Sequence, residues 1–194
     1  MIVVPVGGTW SQEAGAHDWW RPASVWVANL RNAGLSLLDA AEPFQWSAAL
    51  AIDAGQDPLW RTSGLALKWY CQAKTMMRTE ELTVVAHSHG GNVLAFALAA
   101  GLRLRRALTV GMPVRQDMAG IYAAARPNVD QWTQLYCEEV GTPFQILGCL
   151  PEVNPAREVA EADVNLKVEP PTSHHGLMWP HLWLEHDWYQ ALLA

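Results

Sequence analysis

The sequence is short of positive charge. Lysine and arginine together number 13 against 19 aspartates and glutamates, and the formal net charge is -6. Binding to nucleic acid or to an anionic membrane surface needs clustered lysine and arginine, so both classes of partner are disfavoured. The basic cluster of Arg103, Arg105 and Arg106 follows a predicted helix, and we interpret it as the solvated end of that helix.

Cysteines and long apolar runs are also scarce. The chain has 3 cysteines at spacings that do not match a metal site, and an odd number cannot pair completely within one chain. We therefore expect reduced thiols. No apolar run approaches the roughly 20 residues that a membrane-spanning helix needs. Met1 leads directly into a strand-like segment, so we expect no secretory signal, no stable membrane insertion and a cytoplasmic location.

The composition that is present is typical of one folded domain. Of 194 residues, 51% are hydrophobic and 16% are charged, which supplies a packed core for a single domain spanning 1–194. Strand-like and helix-like segments alternate along the chain. This alternation predicts an α/β fold, a three-layer sandwich with a mostly parallel central sheet and helices on both faces. The 11 tryptophans are expected in the core and along a cleft.

Hydrophobic patterning and capping residues define the expected elements. Ser24 is predicted to cap a helix that Gly34 ends, and Gly64 is expected to permit close packing of a long helix. Residues 151–162 are interpreted as a loop with a helical turn. Strands are predicted at 2–6, 43–47, 107–110, 131–137 and 163–168, and helices at 25–33, 59–77, 118–125 and 180–193.

The main functional signal is a serine at a sharp turn. An apolar run begins at Leu82, the polar turn Ala86-His87-Ser88-His89-Gly90 follows, and an Ala/Leu-rich helical run comes next. A strand that passes directly into a helix exposes a hydroxyl at the bend, and the residues two positions away must be small, as Ala86 and Gly90 are. The alternative interpretation is that Ser88 caps a helix after a buried strand.

These motifs together resemble those of the α/β-hydrolase fold superfamily, in particular its small lipase- and carboxylesterase-like members. The turn at 86–90 is similar to the nucleophile elbow, which is usually Gly-x-Ser-x-Gly. The segment Gly7-Gly8-Thr9-Trp10 resembles the oxyanion loop, with Gly7 where histidine is usual. Phe44–Ser47 and Gly111-Met112-Pro113 are similar to further segments, so the resemblance covers nearly the whole chain.

The resemblance implies the parts that ester cleavage by serine needs: a nucleophile, a base, an orienting acid and donors for the oxyanion. Ser88 would be the nucleophile. The backbone N–H groups of His89 and Thr9 would bind the oxyanion, with Trp10 the next donor along the loop.

The base and the acid would follow two later strands. The base would come from the adjacent pair His174 and His175, of which His174 is favoured and His175 is the alternate. The acid would come from Glu138 and Glu139, of which Glu139 is favoured. Asp117 is a third candidate for the acid, with a carboxylate at a helix start as its structural interpretation.

The implied function is that of a serine hydrolase of the carboxylesterase or lipase type, acting through an acyl-enzyme without a cofactor. The substrate would be a small-molecule or lipid-like ester, contacted by Trp10, His87 and Trp179. A non-catalytic binding protein of the same fold and an acyltransferase with the same triad are the alternatives. The sequence leaves the oligomeric state open.

Metal and phosphate sites are weaker interpretations. His87 and His89, with the later histidine pair, could suggest a zinc hydrolase, but a serine separates them and no aspartate ligand pattern is nearby. Gly90-Gly91 lacks the lysine that a phosphate-binding P-loop requires. We therefore predict no metal.

Overall fold

The structure, a computed structural model, describes residues 1–8, 19–47, 55–76, 78–137, 153–156 (backbone), 158–169 and 176–192. The strands within these ranges are β1 (Ile2–Val6), β2 (Ser36–Leu37), β3 (Leu82–His87), β4 (Leu104–Val110), β5 (Pro113–Arg115), β6 (Val129–Tyr136), β7 (Val153–Ala156) and β8 (Val164–Lys167). The α-helices are α1 (Val25–Asn32), α2 (Pro58–Lys74), α3 (His89–Ala99), α4 (Ala119–Ala125), α5 (Pro180–Glu185) and α6 (Trp188–Ala191).

The main sheet has the strand order β2-β1-β3-β4-β6-β8, and every pair in it is parallel. β5 and β7 form a separate antiparallel pair. Within the main sheet Val6 pairs with Ala86, and His87 pairs with Val110. Because the strands are parallel, the carboxyl ends of β1, β3, β4, β6 and β8 all meet at one edge.

The inner strands alternate their side chains between two cores. Val4 and Val84 pack on the face that α2, α3 and α4 cover. Val3 and Val85 pack on the face that α1, α5 and α6 cover. This two-residue period is what a strand buried on both faces produces. The predicted three-layer α/β architecture, with a mostly parallel sheet between helices, is confirmed.

Local sequence explains how several helices begin and pack. Ser24 caps α1 by accepting a hydrogen bond from the Val27 N–H at 3.1 Å. Asp57 caps α2 by accepting from the Leu59 N–H at 2.7 Å, with proline at the first helical position. A Cβ added at Gly64 would lie 2.5 Å from the Phe96 Cβ, so this glycine does permit the close packing of α2 on α3.

The predicted strand at 43–47 is wrong, because this segment is irregular backbone. Phe44 and Trp46 are both buried, and they produce the apolar-polar alternation. Their rings pack against α2, where Phe44 meets Tyr70 at 5.6 Å and Trp46 meets Trp60 at 6.0 Å between ring centroids. The alternation of apolar and polar residues at 43–47 therefore arises from packing against α2 and not from pairing in a sheet.

The loop predicted at 151–162 is also wrong in part, since Val153–Ala156 is a strand. It pairs with a strand of three residues, Pro113–Arg115, about 40 positions earlier in the chain. Such short segments carry too few alternating positions for a period to be read from sequence.

The predicted helix at 180–193 is interrupted. α5 ends at Glu185, Asp187 has φ 54°, and α6 begins at Trp188. An α-helix cannot continue through a left-handed residue, and aspartate tolerates that conformation better than most. Trp183 and Trp188 would point in different directions on one straight helix. The break lets both indoles enter the same core, with ring centroids 5.8 Å apart.

The basic cluster is likewise placed differently from the prediction. Arg105 and Arg106 lie within β4 and not at a helix end. The Arg106 side chain donates to the Leu192 carbonyl at 2.6 Å and to the Gln131 side chain at 2.9 Å. These two hydrogen bonds hold the end of α6 against the sheet.

No helix in the described part of the chain is long and apolar enough to cross a membrane.

Candidate active site

Ser88 lies at the carboxyl edge of the sheet, between the end of β3 and the start of α3. Its backbone has φ 53° and ψ -135°, a conformation that residues with side chains rarely adopt. Such strain costs about 1–3 kcal/mol and persists only where the surrounding structure enforces it. The Ser88 N–H donates to the Val110 carbonyl at 2.9 Å, and the Gly91 N–H donates to the Ser88 carbonyl at 2.9 Å. The turn is thus held by β4 and α3.

Gly90, two residues after Ser88, and Gly8, in the loop after β1, both lie at this turn where neighbouring atoms leave no room for a Cβ. A Cβ added at Gly90 would lie 2.8 Å from the Val6 carbonyl oxygen and closer still to that of Gly7. A Cβ added at Gly8 would lie 2.7 Å from the Ser88 Cβ and 3.3 Å from its Oγ. The end of β1 therefore touches the first turn of α3, and the backbone of Gly8 runs directly beside the Ser88 hydroxyl.

Two imidazoles flank Ser88, and each packs against an indole. His89, the first residue of α3, has its ring 5.0 Å from that of Trp60. His87, the last residue of β3, has its ring 6.3 Å from that of Trp19. Both histidines are buried. This placement fits the interpretation of the two rings as walls of the site, and contact of His87 with substrate stays a prediction.

The loop after β1 is anchored by a tryptophan from a distant part of the chain. The Trp46 indole N–H donates to the Gly7 carbonyl at 2.8 Å, and the bond is buried. Gly7 and Gly8 are described, whereas the predicted oxyanion donors Thr9 and Trp10 lie outside the described residues. The hydrogen bond from Trp46 therefore fixes the orientation of the peptide unit between Gly7 and Gly8, beside Ser88.

A buried polar network lies beside α3. The Asn92 side-chain amide donates to the Pro113 carbonyl at 3.2 Å. The Tyr122 hydroxyl donates to the Asn92 side-chain oxygen at 2.6 Å and accepts from the Arg115 N–H at 3.1 Å. Burial raises the pKa of Tyr122 above its ordinary value, so its hydroxyl remains a donor at neutral pH. This network ties the helix that begins at the serine turn to β5 and α4.

Arg115 and Asp117 form an ion pair next to these aromatic residues. The Arg115 side chain is only 2% exposed, and it donates two hydrogen bonds to the Asp117 carboxylate, at 2.9 and 2.8 Å. The Asp117 carboxylate also accepts from the Gly55 N–H at 3.2 Å. The guanidinium carbon lies 5.8 Å from the centre of the Trp60 ring. Asp117, the third candidate for the acid, therefore holds the Arg115 guanidinium in place beside the Trp60 ring.

Of the predicted triad, the described residues include Ser88. β6 ends at Tyr136 and β8 ends at Lys167, both at the edge that carries Ser88. The chain is described up to Cys137 after the first of these strands and up to Glu169 after the second. The candidates Glu138, Glu139, His174 and His175 lie outside the described residues, so the choice of acid and base stays a prediction.

Trp179 directly precedes α5 and lies beside β8, away from Ser88 in the strand order. Its side chain is 53% exposed and packs on His181, with ring centroids 5.6 Å apart. It lines an open groove of about 680 Å³ together with Val168 and Trp188, beside β8. In the strand order β8 is separated from β3 by β4 and β6. Contact of Trp179 with substrate stays a prediction.

The residues that sequence reasoning did not assign to the site are Trp46, Trp60 and Arg115. Each is buried: Trp46 bonds to the loop after β1, Trp60 packs on His89, and Arg115 lies against Trp60. The unusual number of tryptophans was the signal that could have directed attention to them, but it did not distinguish these indoles from the others in the core.

Within the described ranges no three histidine, cysteine, aspartate or glutamate side chains come together as a metal-ligand set. The described cysteines Cys71 and Cys137 are both buried. The absence of a metal stays a prediction, because the zinc interpretation also involves His174 and His175, which lie outside those ranges.

No protein-family model matches the chain, and no curated protein sequence is detectably similar to it. A crystal structure of a dienelactone hydrolase-like promiscuous phosphotriesterase from metagenomic libraries is similar in fold. The similarity covers 98% of this chain and 85% of that one, with a TM-score of 0.50 and 15% sequence identity. With the parallel sheet, its helices on both faces and the strained serine between β3 and α3, this likeness shows that the chain has the α/β-hydrolase fold.

Proposed function

We propose that the protein is a serine hydrolase that cleaves carboxylic esters through an acyl-enzyme, with Ser88 as the nucleophile. This proposal rests on the backbone conformation of Ser88. Its φ is 53°, although the residue is not glycine, and it lies at the carboxyl edge of the sheet. Strained residues of this kind concentrate at active sites, where the strain aims a side chain that a relaxed turn would not present.

In the proposed reaction the Ser88 Oγ attacks the ester carbonyl carbon while His174 takes its proton. The tetrahedral oxyanion is bound by the N–H groups of His89 and Thr9, each worth about 3 kcal/mol. His174 then gives the proton to the departing alcohol, and the C–O bond to that alcohol breaks. Water repeats these steps on the acyl-enzyme and releases the acid, while Glu139 orients the imidazole and stabilises its cation.

Two features of the described residues support this assignment of roles. The backbone of Gly8 lies beside the Ser88 hydroxyl, which brings the loop that leads to Thr9 to the nucleophile. His89 is the first residue of α3, so its N–H belongs to the first turn of the helix and points out of the helix start. The partial positive charge of the helix start favours a developing oxyanion there.

The substrate we propose is a small or lipid-like ester with an apolar acyl group. Aromatic rings pack on the histidines at both sides of the serine, with Trp60 against His89 and Trp19 against His87. A substrate that binds beside such rings would present apolar groups to them. The protein whose structure is similar is named as a hydrolase, which agrees with the reaction class proposed here.

The test is hydrolysis of 4-nitrophenyl acetate by the purified protein and by Ser88→Ala. We expect a pre-steady-state burst of about one nitrophenol per chain followed by slower turnover, which is the kinetic signature of an acyl-enzyme. Ser88→Ala should lose the burst and lower kcat by about 10⁴-fold or more, with an unchanged circular dichroism spectrum. A burst that survives in this variant would exclude Ser88 as the nucleophile.

The same assay decides which carboxylate and which imidazole complete the triad. His174→Ala should lower kcat by about 10⁴-fold, whereas the matched variant His175→Ala should change it by less than about tenfold. Glu139→Gln should be slower than Glu138→Gln by about 100-fold or more, because only one carboxylate can orient the base. Reversal of either order would move the role to the neighbouring residue.

A further inference from the structure

Two tryptophans connect the two segments that the proposed oxyanion site needs. Trp46 lies in the irregular segment between β2 and α2, and Trp60 lies in the first turn of α2. Their rings meet edge to face, with centroids 6.0 Å apart and an angle of 88° between the ring planes. Both are buried, with Trp60 fully enclosed. Edge-to-face pairs at this separation attract each other by about 0.5–1.5 kcal/mol beyond the burial of their area. We call this pair the indole bridge.

One end of the indole bridge holds the loop after β1. The Trp46 N–H donates to the Gly7 carbonyl at 2.8 Å in a buried bond. A peptide unit is planar, so fixing the Gly7 carbonyl also fixes the direction of the Gly8 N–H. Glycines would otherwise give this loop wide conformational freedom.

The other end holds the start of α3. The Trp60 ring lies 5.0 Å from the His89 imidazole, tilted by 54°. The Arg115 guanidinium carbon lies 5.8 Å from the centre of the same indole ring, and two hydrogen bonds to Asp117 hold the guanidinium in place. A shift of Trp60 would therefore change its packing against His89 and against the buried ion pair.

We propose that the indole bridge sets the distance between the two oxyanion-binding segments, with Trp46 and Trp60 as positioning residues. This inference rests on the proposed function, since it assigns a task to both segments during ester cleavage. Oxyanion donors act only when both point at the position that the charged oxygen takes in the transition state. A misplacement of about 1 Å at such a site can cost about 100-fold in rate.

The test compares two tryptophan-to-phenylalanine variants. Trp46→Phe keeps a ring but deletes the N–H that holds Gly7. Trp132→Phe is the matched control, because its buried N–H donates to the Thr109 hydroxyl at 3.0 Å, in the middle of the sheet. We expect Trp46→Phe to lower kcat for 4-nitrophenyl acetate by about tenfold with KM unchanged. Trp132→Phe should change kcat by less than about twofold, at a similar loss of Tm.

A second readout separates positioning from general loosening. Phenylboronic acid forms a tetrahedral adduct with an active serine, so its Ki reports oxyanion binding and not ground-state binding. Trp46→Phe and, independently, Trp60→Phe should raise this Ki by the same factor that each lowers kcat. Equal effects of Trp46→Phe and Trp132→Phe on kcat, or unchanged Ki values, would overturn the inference.

The outcomes distinguish this inference from the function on which it rests. A wild-type protein without ester hydrolysis contradicts the proposed function, whatever the variants do. A wild-type protein that hydrolyses esters, with Trp46→Phe and Trp60→Phe as fast as wild type, contradicts only the indole bridge. Failure of both variants to fold would assign the two tryptophans to the core and would likewise overturn their positioning role.

Discussion

An alanine at Gly90 is expected to destabilise the protein and slow its reaction, whereas an alanine at Gly120 is expected to do neither. The two glycines are a matched pair, because each is the second residue of its helix, α3 and α4 respectively. An added Cβ at Gly90 would press on the carbonyl oxygens of Val6 and Gly7, the first at 2.8 Å. An added Cβ at Gly120 would meet nothing within 4 Å.

The size of the effect follows from two opposing terms. Replacing glycine by alanine within a helix favours the folded state by about 0.5–1 kcal/mol. Overpacking costs about 1–3 kcal/mol, and here the obstacle is backbone that cannot move freely. Val6 ends β1, which pairs with β2 on one side and with β3 on the other. We therefore expect Gly90→Ala to lower the free energy of unfolding by about 1–2 kcal/mol, and Gly120→Ala to raise it by about 0.5 kcal/mol.

The assay is urea unfolding followed by tryptophan fluorescence and circular dichroism, together with ester hydrolysis by the folded variants. Gly90→Ala should also lower kcat by about tenfold, because the added carbon separates the loop after β1 from α3. If Gly90→Ala matched Gly120→Ala both in stability and in kcat, the turn would not depend on the close contact between β1 and α3.

Three further predictions concern strain, pH and the buried ion pair. Ser88→Gly should be more stable to urea than Ser88→Ala by about 1 kcal/mol, because glycine relieves the left-handed backbone that alanine keeps; equal stabilities would contradict the strain. Burial raises the pKa of the Cys71 thiol to about 12, so the folded state holds this proton more tightly than the unfolded state does. The free energy of unfolding should therefore fall above pH 9, by up to about 1.4 kcal/mol per pH unit, and Cys71→Ala should flatten that slope between pH 9 and 10. Asp117→Asn should lower the free energy of unfolding by about 3–5 kcal/mol in urea titrations at pH 7, since it leaves the Arg115 charge buried without its carboxylate; a loss below about 1 kcal/mol would mean that the pair is not structural.

Much of the fold is readable from local sequence. Ile2–Val6 is apolar throughout and β-branched at every position except Pro5, which suits a strand covered on both faces, and it forms β1 with those bounds. Ser24 and Asp57 fix the starts of α1 and α2 because their side chains satisfy the first N–H groups of each helix. These features depend on neighbours within four residues, so they need no knowledge of the tertiary structure.

Other elements depend on contacts that local sequence does not reveal. The strands β5 and β7 are only three and four residues long and stabilise each other across a long separation in the chain. The interruption at Asp187 arises because Trp183 and Trp188 must both enter one core. In each case tertiary packing determines the backbone and overrides the local pattern.

The candidate site divides in the same way. Ser88 and Gly90 are recognisable because the strand-to-helix turn itself requires a residue that tolerates strain and a small neighbour. The roles inferred for Trp46 and Trp60 could not be read from the sequence, since each depends on which partner the folded chain brings to the indole. A tryptophan in a core and a tryptophan that orients a loop have the same local sequence signal.

The central claim is that Ser88 is a reactive nucleophile, and covalent labelling tests it most directly. The folded protein is incubated with a fluorophosphonate, and its intact mass and the modified peptide are then measured by mass spectrometry. We predict one adduct per chain, located on Ser88, that is absent from Ser88→Ala and from protein unfolded in urea beforehand. A folded protein that takes up no fluorophosphonate, or takes it up on another residue, would contradict the account.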